Sequence, residues 1–239
     1  MKDLYLDGVG EIAGGLFHTI SISGSGKCKE RLKCLMLDVS GMVKLTEIEA
    51  ETIDVSGMLS VSQCINANTI DVSGMFKAAN KVKAKNINIS GMFKAKSLVA
   101  DEITVSGALS VNETIEAESL KVDGSLKGVK LINVGYLDYK TAMCEVLHEI
   151  EAETVKIDAS STYPSSWLLK YGLKVLKKQK ETLNVSTIEA DEITLKSVRA
   201  KLVRGRVVHV ESGCHIEVLE YHESYELAED ASVKHLVKL

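Results

Sequence analysis

His209, Cys214, His215, Glu217 and His222 are the residue types that hold zinc, gathered near one end of the chain. Their spacing argues against a metal, because structural zinc sites draw on repeated close pairs of ligands, and no such pairing is present. Strand alternation would also turn His209 and Val210 to opposite faces, and likewise His215 and Ile216. Carboxylates are the other candidate chemistry. Asp38, Asp54 and Asp71 each stand three positions before a glycine, and paired carboxylates perform glycoside hydrolysis. The same column continues, however, as Asn88 and Thr104. A row made by repeating one unit lacks the single distinctive constellation that catalysis needs. The chain is therefore not expected to be an enzyme, and no cofactor, metal or small-molecule substrate is expected.

What repeats is the stronger signal. The phrase I-D-V-S-G-M occurs at Ile53–Met58 and again at Ile70–Met75. With its glycine as marker it recurs at Gly8, Gly24, Gly41, Gly57, Gly74, Gly91, Gly107 and Gly124, at spacings of 16 or 17 residues. A unit so short cannot bury its own apolar face and is stable only when copies stack. Those spacings also exclude the six-residue period of left-handed acyltransferase solenoids.

Within each unit apolar residues alternate: Ile70 and Val72 before the glycine, Phe76 and Ala78 after it, Ile65 and Ala67 further upstream. Three short period-two segments per turn predict a three-sided coil of half-buried strands. The expected fold is all-β, a parallel β-helix or β-solenoid with about 16–17 residues per turn. About thirteen turns at a strand spacing of roughly 4.8 Å give a rod about 60 Å long. The glycine is expected at a corner with positive φ, which glycine adopts without strain. The alanines are expected at a crowded second corner.

Just after the glycine come Met42, Met58, Met75 and Met92, each followed by an apolar residue. Neighbours on a strand cannot both face inward. If Phe76 and Phe93 fill the core, the methionines form an outward apolar stripe, a typical contact surface. A bend at the glycine that tucks them into the corner is the alternative.

The formal charge of −4 lacks the basic footprint of a nucleic-acid binder. No apolar run is long enough to span a bilayer, and the first residues lack a signal peptide's apolar segment. The expected location is cytoplasmic. Cys28, Cys34, Cys64, Cys144 and Cys214 show no pairing pattern and suit reduced thiols.

Composition divides the chain into a solenoid over 1–160, an insertion over 161–183 and a continued solenoid over 184–239. The insertion holds the only Pro and the only Trp. It reads as an amphipathic basic helix starting near Pro164, with Trp167, Lys170, Lys174, Lys177 and Lys178 available to a partner, the solenoid or an anionic membrane surface. From Glu217 onward alternation persists without glycine. The end turns show no polar cap, so their unpaired strands and open core invite association with a second copy through Leu4, Leu6, Leu236 and Val237.

The unit I-x-A-x-x-I-x-V-x-G, at Ile48–Gly57 and Ile65–Gly74, resembles the bactofilin domain of bacterial polymer-forming cytoskeletal proteins. The segment IEADEITLKSVRAKLVRGRVVHVESGCHIEVLEY resembles the tail of bactofilin-like proteins from Gram-positive bacteria. That resemblance implies a right-handed coil, end-to-end polymers formed without nucleotide, and a scaffold for cell-envelope proteins at the inner face of the membrane. A non-polymerising cytoplasmic β-helix binding module is the second reading.

Overall fold

Parallel pairing between residues one period apart organises the sheet: Ile53 lies beside Ile70, Ile70 beside Ile87 and Ile87 beside Ile103. The computed structural model describes residues 1–141, 145–160 and 183–239. All regular elements among these are strands, stacked into a β-solenoid of about 12 turns.

Each turn has three faces, named here by a characteristic residue. The Asp face carries segments such as Thr69–Val72, the Met face segments such as Met75–Ala78, and the Ala face segments such as Ile65–Ala67. Alternation is strict, so Ile70, Val72, Phe76, Ala78, Ile65 and Ala67 point inward and are buried. Identical residues stack on identical residues, and every lap covers the apolar edge of the one before it. Burying each such aliphatic side chain stabilises by about 1.5–3 kcal/mol. Phe76 and Phe93 stack edge to face, with centroids 4.8 Å apart, at the centre of the Met face.

The variable period is absorbed at one corner. Met58 pairs with Met75 and Ile65 with Val82, while Met42 pairs with Met58 and Ile48 with Ile65. The extra residue therefore sits in the loop between the Met and Ala faces. After Gly124 the repeat phrase blurs, yet Leu131–Lys140 keeps full register with the strands on either side.

The glycine corner corrects the expectation of positive φ. Positive φ at glycine occurs at Gly15, Gly128 and Gly213 among the described residues, and none of these is a repeat glycine. The reason for glycine is stacking. The N–H groups of Ser56 and Gly57 both donate to the Val39 carbonyl, and Met58 N–H donates to Gly41 O. This draws each glycine onto the one below, so that a Cβ at Gly74 would stand 2.1 Å from Gly57 O.

The insertion boundary also shifts. Leu183 is the first residue of the strand Leu183–Lys196 and is fully buried, so the solenoid resumes one residue earlier than composition suggested. The rest of the expected basic helix, with Trp167, Lys170, Lys174, Lys177 and Lys178, lies outside the described residues.

Candidate functional site

The histidine-rich end of the chain does not converge. His209 Nδ1 lies 3.0 Å from Glu226 Oε2, and His215 Nδ1 lies 2.7 Å from Ser232 Oγ. Cys214 is buried, its thiol donating to Leu195 O, while Glu217 faces Lys234. Among the described residues no three His, Cys, Asp or Glu side chains meet where a metal could bind.

One buried carboxylate escaped the sequence reading. Glu145 lies inside the coil, where Ser125 Oγ donates to Oε1 at 2.6 Å and Leu126 N–H donates to Oε2 at 3.1 Å. The Tyr139 hydroxyl also donates to Oε2. Burial, then the hydrogen bond to Glu145, pushes the Tyr139 hydroxyl far above its ordinary value. With three donors on two oxygens, this carboxylate is a satisfied structural group that closes the Met face beside Ser125–Lys127.

The Met column stands on the outside. Met42, Met75 and Met92 are exposed and Met58 half-buried, whereas Val43, Leu59, Phe76 and Phe93 beneath them are buried. Met75, Met92 and Ala108 border an open groove whose floor includes Gly91 and Gly107. Two residues along each strand runs a second outward row, Lys27, Lys44, Ser60, Lys77, Lys94, Ser110 and Lys127, paired turn on turn.

The ends of the rod expose the core in section. At the C-terminal end Tyr225, Leu227 and Leu236 occupy the inward positions of Val208, Val210 and Leu219 one turn below. Leu219 is 0% exposed but Leu236 is 44%, Leu227 40% and Tyr225 37%, since no strand among the described residues stacks on them. Tyr221 and Tyr225 pack at 4.7 Å between centroids across this end. Val237 pairs with outward Glu220 and therefore stands on the outer face of the last turn, beside Leu236. At the N-terminal end Leu4 and Leu6 hold the inward positions above Ile20 and Ile22 and are half-buried.

Charges are matched between neighbouring turns at several places. Arg31 meets Glu47 and Glu49, Lys33 meets Glu49, and Arg204 lies between Glu189 and Glu220. Hydrogen bonds from Lys33 and Arg31 hold the Glu49 carboxyl below the usual range. Asp54 is the exception: desolvation, with Asp38 and Asp71 above and below, pushes its carboxyl up. Burial raises the thiols of Cys34 and Cys214 to about 11, while Cys64 is exposed.

Stacked parallel turns around one apolar core define the class, a parallel β-solenoid. Compared with family models, with curated proteins and with solved structures, the chain matches none. No helix among the described residues is long and apolar enough to cross a membrane.

Proposed function

We propose that this chain is a structural, scaffolding protein of bactofilin type, not an enzyme, whose rods join end to end into polymers without nucleotide. The observation that supports this most is the exposed core section formed by Tyr225, Leu227 and Leu236. A strand edge and an apolar cross-section at the end of a stack are what the interior turns bury against each other, so a second copy can extend the same pairing. On this reading the polymer lies in the cytoplasm, at the inner face of the membrane, and recruits cell-envelope proteins.

Negative-stain microscopy of purified protein at high micromolar concentration tests it. Wild-type chain forms filaments or end-joined dimers, and Leu227→Glu with Leu236→Glu leaves single short rods. Single rods from the wild-type chain under those conditions would overturn the proposal. They would favour the second reading, a non-polymerising binding module, for which the exposed Met row is the specific support.

A further inference from the structure

Two rows of charge on this rod lack a counter-charge among the described residues. Asp38, Asp54 and Asp71 stack on successive turns of the Asp face, with Asn88 Nδ2 donating to Asp71 Oδ1 at 2.7 Å and no cation paired to them among the described residues. The Met face carries Lys44, Lys77 and Lys94 in one row, with Ser60 between Lys44 and Lys77, equally without a carboxylate among the described residues. The Ala face and the last turns differ, since there Lys33, Arg204 and Arg206 meet glutamates on the next turn. The unmatched rows have opposite sign and the same rise per turn.

Their neighbours match as well. Two residues before the Asp row runs Met36, Thr52 and Thr69, side chains that each carry a methyl group at an outward position. Two residues before the Lys row runs the Met row. Both faces thus show an apolar row followed, in chain direction, by a charged row.

Geometry then selects one arrangement. Outward normal, axis and strand direction keep one handed relation on every face of a solenoid, whichever its hand. When two faces meet, their normals oppose, so their strands run the same way only if the two axes run opposite ways. In that antiparallel arrangement methionines meet threonine methyls and lysines meet aspartates. With parallel axes the rows cross over and Asp meets Met. One register sets Asp54 over Lys94 and Asp71 over Lys77, with Thr52 over Met92 and Thr69 over Met75.

We propose that the Asp face of one copy docks on the Met face of a second copy, with the two rods side by side and antiparallel. The contact relieves the mutual repulsion of the Asp column and covers the Met groove. It is heterologous, because the first copy keeps its Met face free and the second its Asp face, so pairing can propagate sideways. It is independent of end-to-end growth, which lengthens rods at constant width, whereas lateral docking widens them.

A charge-swap experiment on the full chain decides. Asp54→Lys with Asp71→Lys, and separately Lys77→Glu with Lys94→Glu, are made at outward positions, and folding is checked by circular dichroism. Wild type is expected to widen into paired rods at low salt and to separate at high salt, by sedimentation velocity and negative stain. Each variant alone loses pairing. Mixing the two restores it, since both contacts between unlike variants are then of opposite sign. Pairing that survives either reversal, no pairing of wild type at low salt, or no rescue on mixing would overturn the proposal. So would an absence of pairing combined with binding to phosphatidylglycerol vesicles that only the Lys77→Glu, Lys94→Glu variant loses, which would make the Met face a lipid contact.

Discussion

Asp54 and Glu49 lie on neighbouring faces of one turn and respond to acid in opposite directions. The Asp54 carboxyl is raised by desolvation and by Asp38 and Asp71, so its ionised form is disfavoured in the fold. It costs stability at neutral pH, and that cost disappears as pH falls through its raised value. Glu49 is lowered by Lys33 and Arg31, so its contribution is present above the unfolded carboxylate value and is lost as pH falls through the folded one. Asp54→Asn should therefore raise the melting temperature at neutral pH and Glu49→Gln lower it. Both differences shrink on acidification through the carboxylate range, around pH 4, as thermal unfolding at a series of pH values will show. The thiols give a second residue-scale test. Cys34 and Cys214 are buried with values near 11, whereas Cys64 is exposed. Peptide mapping after brief alkylation near pH 7.5 should find Cys64 modified and Cys34 and Cys214 protected until the chain is unfolded.

Strands were the legible part of this sequence, because a side chain repeated at one position of every turn, such as Ile53, Ile70 and Ile87, announces its face by alternation alone. What escaped was whatever is decided between turns. The repeat glycines look like corner residues with unusual φ when one unit is viewed alone. Only the stack shows a Cβ at Gly57 falling 2.1 Å from Gly41 O. The course of the last turns is likewise decided by pairing. The register slips between Gly205 and Val207, where Tyr221 and Ser224 answer them, and this brings Tyr225 and Leu227 inward. Glu145 left no signal, since it occurs once and its partners Ser125 and Leu126 lie 20 and 19 residues away. Its role is testable. Glu145→Ala removes the acceptor shared by Ser125 Oγ, the Leu126 N–H and the Tyr139 hydroxyl, at about 1–3 kcal/mol for a buried group left unsatisfied. Glu145→Gln keeps one acceptor oxygen and should lose less. Urea unfolding of the two variants should rank Ala below Gln, and equal stability would mean the carboxylate cluster contributes nothing.

At the scale of the whole molecule, a stack in which each lap touches only its neighbours should tolerate loss of a lap far better than loss of part of one. Residues 58–74 make up one 17-residue period, and Met75 pairs with Met58 in the same register in which Met58 pairs with Met42. Joining Gly57 directly to Met75 therefore seats Met75–Ala78 on Met42–Leu45, and lets Met75 N–H donate to Gly41 O as Met58 N–H does now. The shortened rod should keep its strand signal in circular dichroism and unfold cooperatively, with only modest loss of stability. Its length falls by one strand spacing, roughly 4.8 Å, and its end turns, and any end-to-end growth they support, are untouched. Deleting residues 58–66 instead removes one face and part of a second. Phe76 then loses Leu59, on which it stacks, the Gly41 carbonyl loses its Met58 N–H donor, and the segments that follow are no longer in step with the faces of the turn below. That variant should aggregate or fail to fold. If both deletions prove equally damaging, the lap is not the unit from which this molecule is built, and the end-joined scaffold loses its physical basis.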